Sequence, residues 1–130
     1  PTIQWIRAML ISRVITTTQN GESITVVANR GCPQGGVLSP LLWLLVADEL
    51  LELLTQAGYE VVAYADDLNI TVRGKFDSVV SDRMQRALNI VQKWCSDEGL
   101  HLNPEKTTIV PFTNRRKLSL VTPTLQEQRI

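Results

Sequence analysis

With 130 residues, 44% of them apolar and 20% charged, the chain is one globular domain at most and not a disordered tail. Thirteen basic residues balance thirteen acidic ones, which argues against a protein whose whole surface grips nucleic acid. The longest apolar run, residues 41–47, is too short to cross a bilayer, and no basic leader with an apolar core opens the chain, so no membrane span or secretion signal is expected. The first residue is Pro1 rather than Met, as in a processed chain or one cut from a longer protein. Ile3, Ile6, Met9, Leu10 and Val14 recur at helical spacing and give way to a β-branched run, residues 14–18. Asn20-Gly21 then stands before the alternating set Ile24, Val26 and Ala28. Asn-Gly between two strand-like runs predicts a hairpin, because both residues tolerate the positive φ of a type I′ turn.

Residues 30–40 hold three glycines and two prolines, which predict an irregular loop with little side-chain bulk. Ser39 as N-cap and Pro40 at the first helical position predict a helix over residues 41–57, stopped by Gly58. Its first two turns are apolar nearly all round, as in a central helix packed on a sheet. A second long helix follows from Phe76, Val79, Val80, Met84, Ala87, Leu88, Val91, Trp94 and Cys95, with an exposed Asp82–Arg86 pair and Gly99 as its stop. Asn103-Pro104 reads as a turn, and residues 107–110 as a short strand kept at an edge by Pro111. Residues 113–130 are polar and basic and are expected to be poorly ordered. Cys32 and Cys95 have no metal-type spacing and read as reduced thiols, with a single disulfide left open.

The informative stretch is residues 61–72. Residues 61–64 are an unbroken apolar run, as expected for a strand covered on both faces, whereas Leu68, Ile70 and Val72 alternate with polar neighbours. Between them stand Asp66 and Asp67, two adjacent carboxylates at a hairpin tip. Like charges there repel, and a hard divalent cation with its preference for oxygen would neutralise them. Taken alone, the pair reads more readily as an ordinary solvated turn than as a metal site. The charge distribution turns at the same point: three basic residues against seven acidic ones up to Asp67, ten against six beyond it, or −4 and +4.

Spacing adds specificity. Arg30-Gly31-Cys32-Pro33-Gln34-Gly35-Gly36-Val37-Leu38-Ser39-Pro40, an intervening helix, Tyr64-Ala65-Asp66-Asp67, then Gly99-Leu100 and Asn103-Pro104-Glu105-Lys106-Thr107 together resemble reverse transcriptases. The likeness is to those of non-LTR, LINE-like retrotransposons of the insect type, and it covers residues 19–117. Two departures are minor: Ala63 stands where a Gly often precedes the Tyr, and Leu44 where a polar residue is usual.

The resemblance implies an α+β fold, a partial right-hand polymerase palm with an antiparallel sheet and two long helices packed on one face. Residues 1–112 would form the partial palm and residues 113–130 the tail. In that family Asp66 and Asp67 are catalytic metal ligands for Mg²⁺, and Lys106 matches a Lys near the departing phosphates. Tyr64 would lie against the primer terminus, and Gln34, Gly35 and Gly36 would line the nucleotide and template side. Plainer readings exist: a surface Lys for Lys106, a core aromatic for Tyr64, a tight connector for the glycine loop. The family's other metal-binding Asp lies on a strand preceding the matched segment, and nothing here matches it. The fingers and thumb are also outside the chain. The expectation is therefore a polymerase fragment, inactive alone, whose parent uses an RNA template, a DNA primer and deoxynucleoside triphosphates inside the cell, in nucleus and cytoplasm. The competing expectation is a non-catalytic, retrotransposon-derived module that binds protein or RNA. A hydrolase using Cys32 and His101 is disfavoured, because no orienting acid is evident.

Overall fold

A computed structural model describes residues 2–11 and 13–130. In chain order the elements are α1 (Thr2–Leu10), β1 (Arg13–Gln19), β2 (Glu22–Ala28), α2 (Ser39–Gln56), β3 (Glu60–Tyr64), β4 (Asp67–Thr71), α3 (Asp77–Glu98), a single 3-10 turn (Pro104–Lys106), β5 (Thr124–Leu125) and β6 (Gln128–Arg129). They fall into two units, Pro1–Trp43 and Leu44–Ile130.

In the first unit, β1 and β2 pair antiparallel from Arg13↔Ala28 to Gln19↔Glu22. Asn20 and Gly21 close the ribbon with φ of 54° and 85°, the double positive φ of a type I′ turn. One face carries a hydroxyl ladder, Thr16 to Thr25 at 3.1 Å and Thr18 to Ser23 at 2.8 Å. The other carries Ile15 opposite Val26 and Thr17 opposite Ile24. Neither face is covered: Val14, Ile15, Ile24, Val26 and Val27 are all exposed.

The second unit holds the core. Leu50 and Leu54 of α2, Tyr59, and Ala87, Val91, Trp94 and Cys95 of α3 are buried together. One face of the β3–β4 hairpin, through Val61, Leu68 and Ile70, packs against them, with Val72 beyond it. Both long helices end as their glycines predict. Gly58 (φ 82°) and Gly99 (φ 67°) take the left-handed conformation. Tyr59 N–H then reaches back to Leu54 O at 3.0 Å, and Leu100 N–H to Cys95 O at 2.7 Å, the six-to-one bond of a Schellman ending. Asp82 and Arg86 pair at 2.9 Å as the spacing implies.

Several expectations fail, each for a physical reason. Among the described residues the strands pair as three two-stranded sheets, not as the single sheet expected. Each hairpin is closed by its own local turn, and nothing in the hairpin sequences specifies edge-to-edge register. The helices cover one face of β3–β4 as expected, but that sheet is only two strands wide. Residues 61–64 are not covered on both sides, since Val62 is 69% exposed and Tyr64 83%. Leu41, Leu44, Leu45 and Val46 are exposed, so the early turns of α2 are not central. Residues 107–110 form no strand, because no described strand pairs with them. Ser39 does not cap α2 with its side chain. Its hydroxyl donates to Pro33 O at 2.5 Å.

The segment expected to be loose is held along α3. Asp77 accepts from Arg115 Nη1 at 3.0 Å and from Ser119 N–H at 2.8 Å. Ser81, 8% exposed, accepts from Val121 N–H at 2.9 Å. Gln85 takes both main-chain groups of Thr124, accepting from N–H at 2.8 Å and donating to O at 2.9 Å. Gln92 accepts from Gln126 N–H at 3.1 Å. These helix positions lie four, four and seven apart, one stripe along α3. Main-chain groups without a sheet partner must be satisfied by something, and here the polar stripe does it. Leu125, 2% exposed, anchors the far end.

Candidate active site

The expected site residues lie in both units, Gln34, Gly35 and Gly36 in the first and Tyr64, Asp66, Asp67 and Lys106 in the second. In the first unit the loop is two successive turns. Gly36 N–H donates to Pro33 O at 3.1 Å, and Ser39 N–H to Gly36 O at 3.0 Å. Gly35 sits at the third position of the first turn with φ 78°, the position a type II turn reserves for Gly. That leaves Gln34 exposed at the corner. Gly36 is needed for a different reason: a Cβ there would stand 2.7 Å from Ser39 Oγ and 3.2 Å from Pro33 O. The turns border an open depression of about 600 Å³ that includes Cys32, Pro33, Gln34, Gly36, Pro40 and Trp43.

Sequence reasoning missed the group that fixes where this loop begins. Arg13, at the start of β1, donates through Nη2 to Arg30 O at 2.6 Å and Gly31 O at 2.7 Å. The link spans seventeen and eighteen residues, and an Arg opening a strand carries no local sign of it.

In the second unit, Tyr64 and Asp67 are directly paired across β3 and β4, with Ala65 and Asp66 as the two turn residues. Tyr64 and Asp67 therefore share one face of the hairpin, and both are exposed. The core-aromatic reading of Tyr64 is excluded by that exposure. Ala65 has φ 52°, a left-handed value for a residue with a Cβ. A positive φ at the first central position alone matches a type II′ turn, which prefers Gly there. With Ala the strain is roughly 1–2 kcal/mol. The base of the hairpin is fastened instead. Glu60 and Arg73 pair at 2.9 Å, and Arg83 donates to Gly58 O at 3.1 Å with its guanidinium over the Tyr59 ring. A fastened base with its inward face on the core makes the tip a fixed mount.

Among the described residues neither Asp66 nor Asp67 accepts a side-chain hydrogen bond or forms an ion pair. Two exposed hard carboxylates suit a hard divalent cation by donor chemistry. They supply only part of the roughly six oxygens a Mg²⁺ ion takes. Among the described residues no three His, Cys, Asp or Glu side chains gather into a fuller ligand set. Lys106 lies on the 3-10 turn that Asn103 caps by accepting from Glu105 N–H at 3.0 Å. It is exposed, and no hydrogen bond or ion pair among the described residues joins it to the Asp pair. The structure thus gathers Tyr64, Asp66 and Asp67 on one tip, and Gln34, Gly35 and Gly36 on one turn.

Comparison with known proteins gives a consistent picture. The family described as "Reverse transcriptase (RNA-dependent DNA polymerase)" matches residues 1–121. A putative 115 kDa protein in the type-1 retrotransposable element R1DM of Drosophila melanogaster is 34% identical over 75% of this chain and 9% of its own length. The Pol polyprotein of a type-1 retrotransposable element R1 from Bradysia coprophila is 36% identical over 62% of this chain and 8% of its own. The RNA-directed DNA polymerase of the mobile element jockey of Drosophila melanogaster is 26% identical over 85% and 13%. This chain therefore spans a small part of the length of these relatives. No solved structure matches significantly.

Proposed function

Given that this chain belongs to the reverse transcriptase family, of the non-LTR retrotransposon type, we propose that it is part of the polymerase palm, contributing half of the metal-dependent nucleotidyl-transfer site. The observation that carries this reading is the tip of the β3–β4 hairpin: two exposed carboxylates on a mount seated against the core. Asp66 and Asp67 would hold Mg²⁺, which when bound activates a primer 3′-hydroxyl and offsets charge on the departing pyrophosphate. Tyr64, exposed on the Asp67 face, offers a ring to the primer terminus. The turn at Gln34, Gly35 and Gly36 brings bare backbone to the nucleotide and template side. Lys106 is proposed as a charge partner for the departing phosphates, a role that requires it to meet the tip when substrates bind.

The partners are then an RNA template, a DNA primer and a deoxynucleoside triphosphate in the longer enzyme, acting inside the cell in nucleus and cytoplasm. No helix among the described residues is long and apolar enough to cross a membrane. Because two carboxylates are too few for an ordered metal pair, the 130-residue chain by itself is proposed to be inactive. Two measurements test this. Mn²⁺ is expected to broaden the amide resonances of residues 64–68 selectively, and Asp66→Ala to abolish the effect; uniform broadening or none refutes the metal site. Primer extension on an RNA template is expected to give no Mg²⁺-dependent product. A product abolished by Asp66→Ala would refute the partial-site reading and uphold the metal role.

The exposed apolar residues of β1, β2 and early α2 favour a second reading, a non-catalytic retrotransposon-derived module that binds protein or RNA. A chain that elutes as a monomer and retains no RNA would exclude it.

A further inference from the structure

The strap held along α3, residues 115–126, contains a serine hydroxyl placed just past a run of cations. Ser119 is exposed in a segment with neither helix nor strand. Its main-chain N–H is engaged by Asp77, while its hydroxyl has no hydrogen-bond partner among the described residues. The hydroxyls of Thr113 and Thr124 are engaged, with Arg115 N–H and with Gln85; that of Thr122 is also exposed and without a partner among the described residues, but it lies five residues past the last cation and directly before Pro123. Three consecutive cations, Arg115, Arg116 and Lys117, stand four, three and two residues before Ser119, with Leu118 between. Arg115 is paired with Asp77; Arg116 and Lys117 are exposed and form no ion pair among the described residues.

We propose that Ser119 is a phosphorylation site for a basic-directed serine/threonine kinase, and that its phosphate releases the strap from α3. Kinases take an exposed, extended segment, and an acidic cleft selects cations on the amino side of the acceptor hydroxyl. In the transfer, the bond from the γ-phosphorus of ATP to its bridging oxygen breaks and a bond to Ser119 Oγ forms. ADP leaves, and the hydroxyl proton passes to the kinase base.

The consequence follows from what surrounds Ser119. A phosphate carries about two negative charges at neutral pH. It would be placed beside the Asp77 carboxylate that holds Ser119 N–H and Arg115. The amino end of α3 offers roughly half a positive charge to an anion, but the full negative charge of Asp77 already occupies it. The phosphate also competes with Asp77 for Arg115, whose Nη2 otherwise donates to Lys75 O at 2.7 Å. Both anchors at this end of the strap are weakened at once.

The test treats the 130-residue chain with ATP and the catalytic subunit of cyclic-AMP-dependent protein kinase, then maps phosphate by tandem mass spectrometry. Phosphate on Ser119 is expected, and Ser119→Ala should remove it. Amide exchange at Ser119 and Val121 should then rise by about ten-fold or more. In Asp77→Asn the phosphate should still be added, with a smaller further rise in exchange. No phosphate, phosphate only at other residues, or unchanged or greater protection after phosphorylation would each overturn the proposal.

Discussion

Replacing Leu125 with Ala should detach the whole strap, not merely loosen its end. Leu125 is 2% exposed, and truncating a buried Leu costs about 2–5 kcal/mol when the site cannot relax. A chain-end segment can escape the upper part of that range by letting go, so the cost is capped by what holds the strap down. Five main-chain bonds, at Ser119, Val121, Thr124 and Gln126, contribute roughly 1 kcal/mol each at best. Ordering each residue of the strap costs about as much. The apolar anchor therefore decides the balance. Losing about 2 kcal/mol raises the opening constant roughly 30-fold, since about 1.4 kcal/mol is a factor of ten. Hydrogen exchange followed by NMR should show the Ser119, Val121, Thr124 and Gln126 amides losing protection together by that factor. Amides in the middle of α3 should change far less. If Thr124 and Gln126 lose protection while Ser119 and Val121 keep theirs, the strap is not one cooperative piece and the reasoning fails.

Two further outcomes are expected elsewhere. Burial pushes the Cys95 thiol above its ordinary range, so the unfolded chain ionises first as pH rises, and stability present below the usual thiol value is lost above about pH 8.5. Melting temperatures between neutral and alkaline pH should thus fall more steeply for the reduced wild type than for Cys95→Ala, and equal slopes would refute the assignment. Gly36→Ala should raise the exchange rate of its own amide, at a cost of about 1–2 kcal/mol. The cost should shrink in a Ser39→Ala background, where the neighbour at 2.7 Å is gone; the same cost in both backgrounds would show that the clash is not the cause.

What could be read from the sequence was local chemistry. Asn20-Gly21 specifies its turn because few other pairs accept two positive φ values. Gly58 and Gly99 specify helix endings for a related reason, and Leu68 and Ile70 reveal their inward face by alternating with Asn69. The run at residues 61–64 does not alternate, so it says nothing about which face is wet, and Val62 and Tyr64 proved exposed. Separate hairpins instead of one sheet were equally hidden, because strand register between distant segments has no short signature. The site was legible wherever residue type is tied to backbone shape or charge, as at Gly35, Asp66 and Asp67. Arg13 was not, because its partners are carbonyl oxygens, which every residue has.

The same anonymity governs the strap. Asp77, Ser81, Gln85 and Gln92 recognise main-chain groups, so the path of residues 119–126 is written on the helix and hardly at all on the segment that follows it. Such an arrangement lets the strap drift in sequence among relatives while keeping its course, provided the helix stripe and an apolar anchor like Leu125 persist. The family match ends at residue 121, partway along the strap. A search for the rest of this element in other members should therefore align the helix and leave the strap to be found by where the helix holds it.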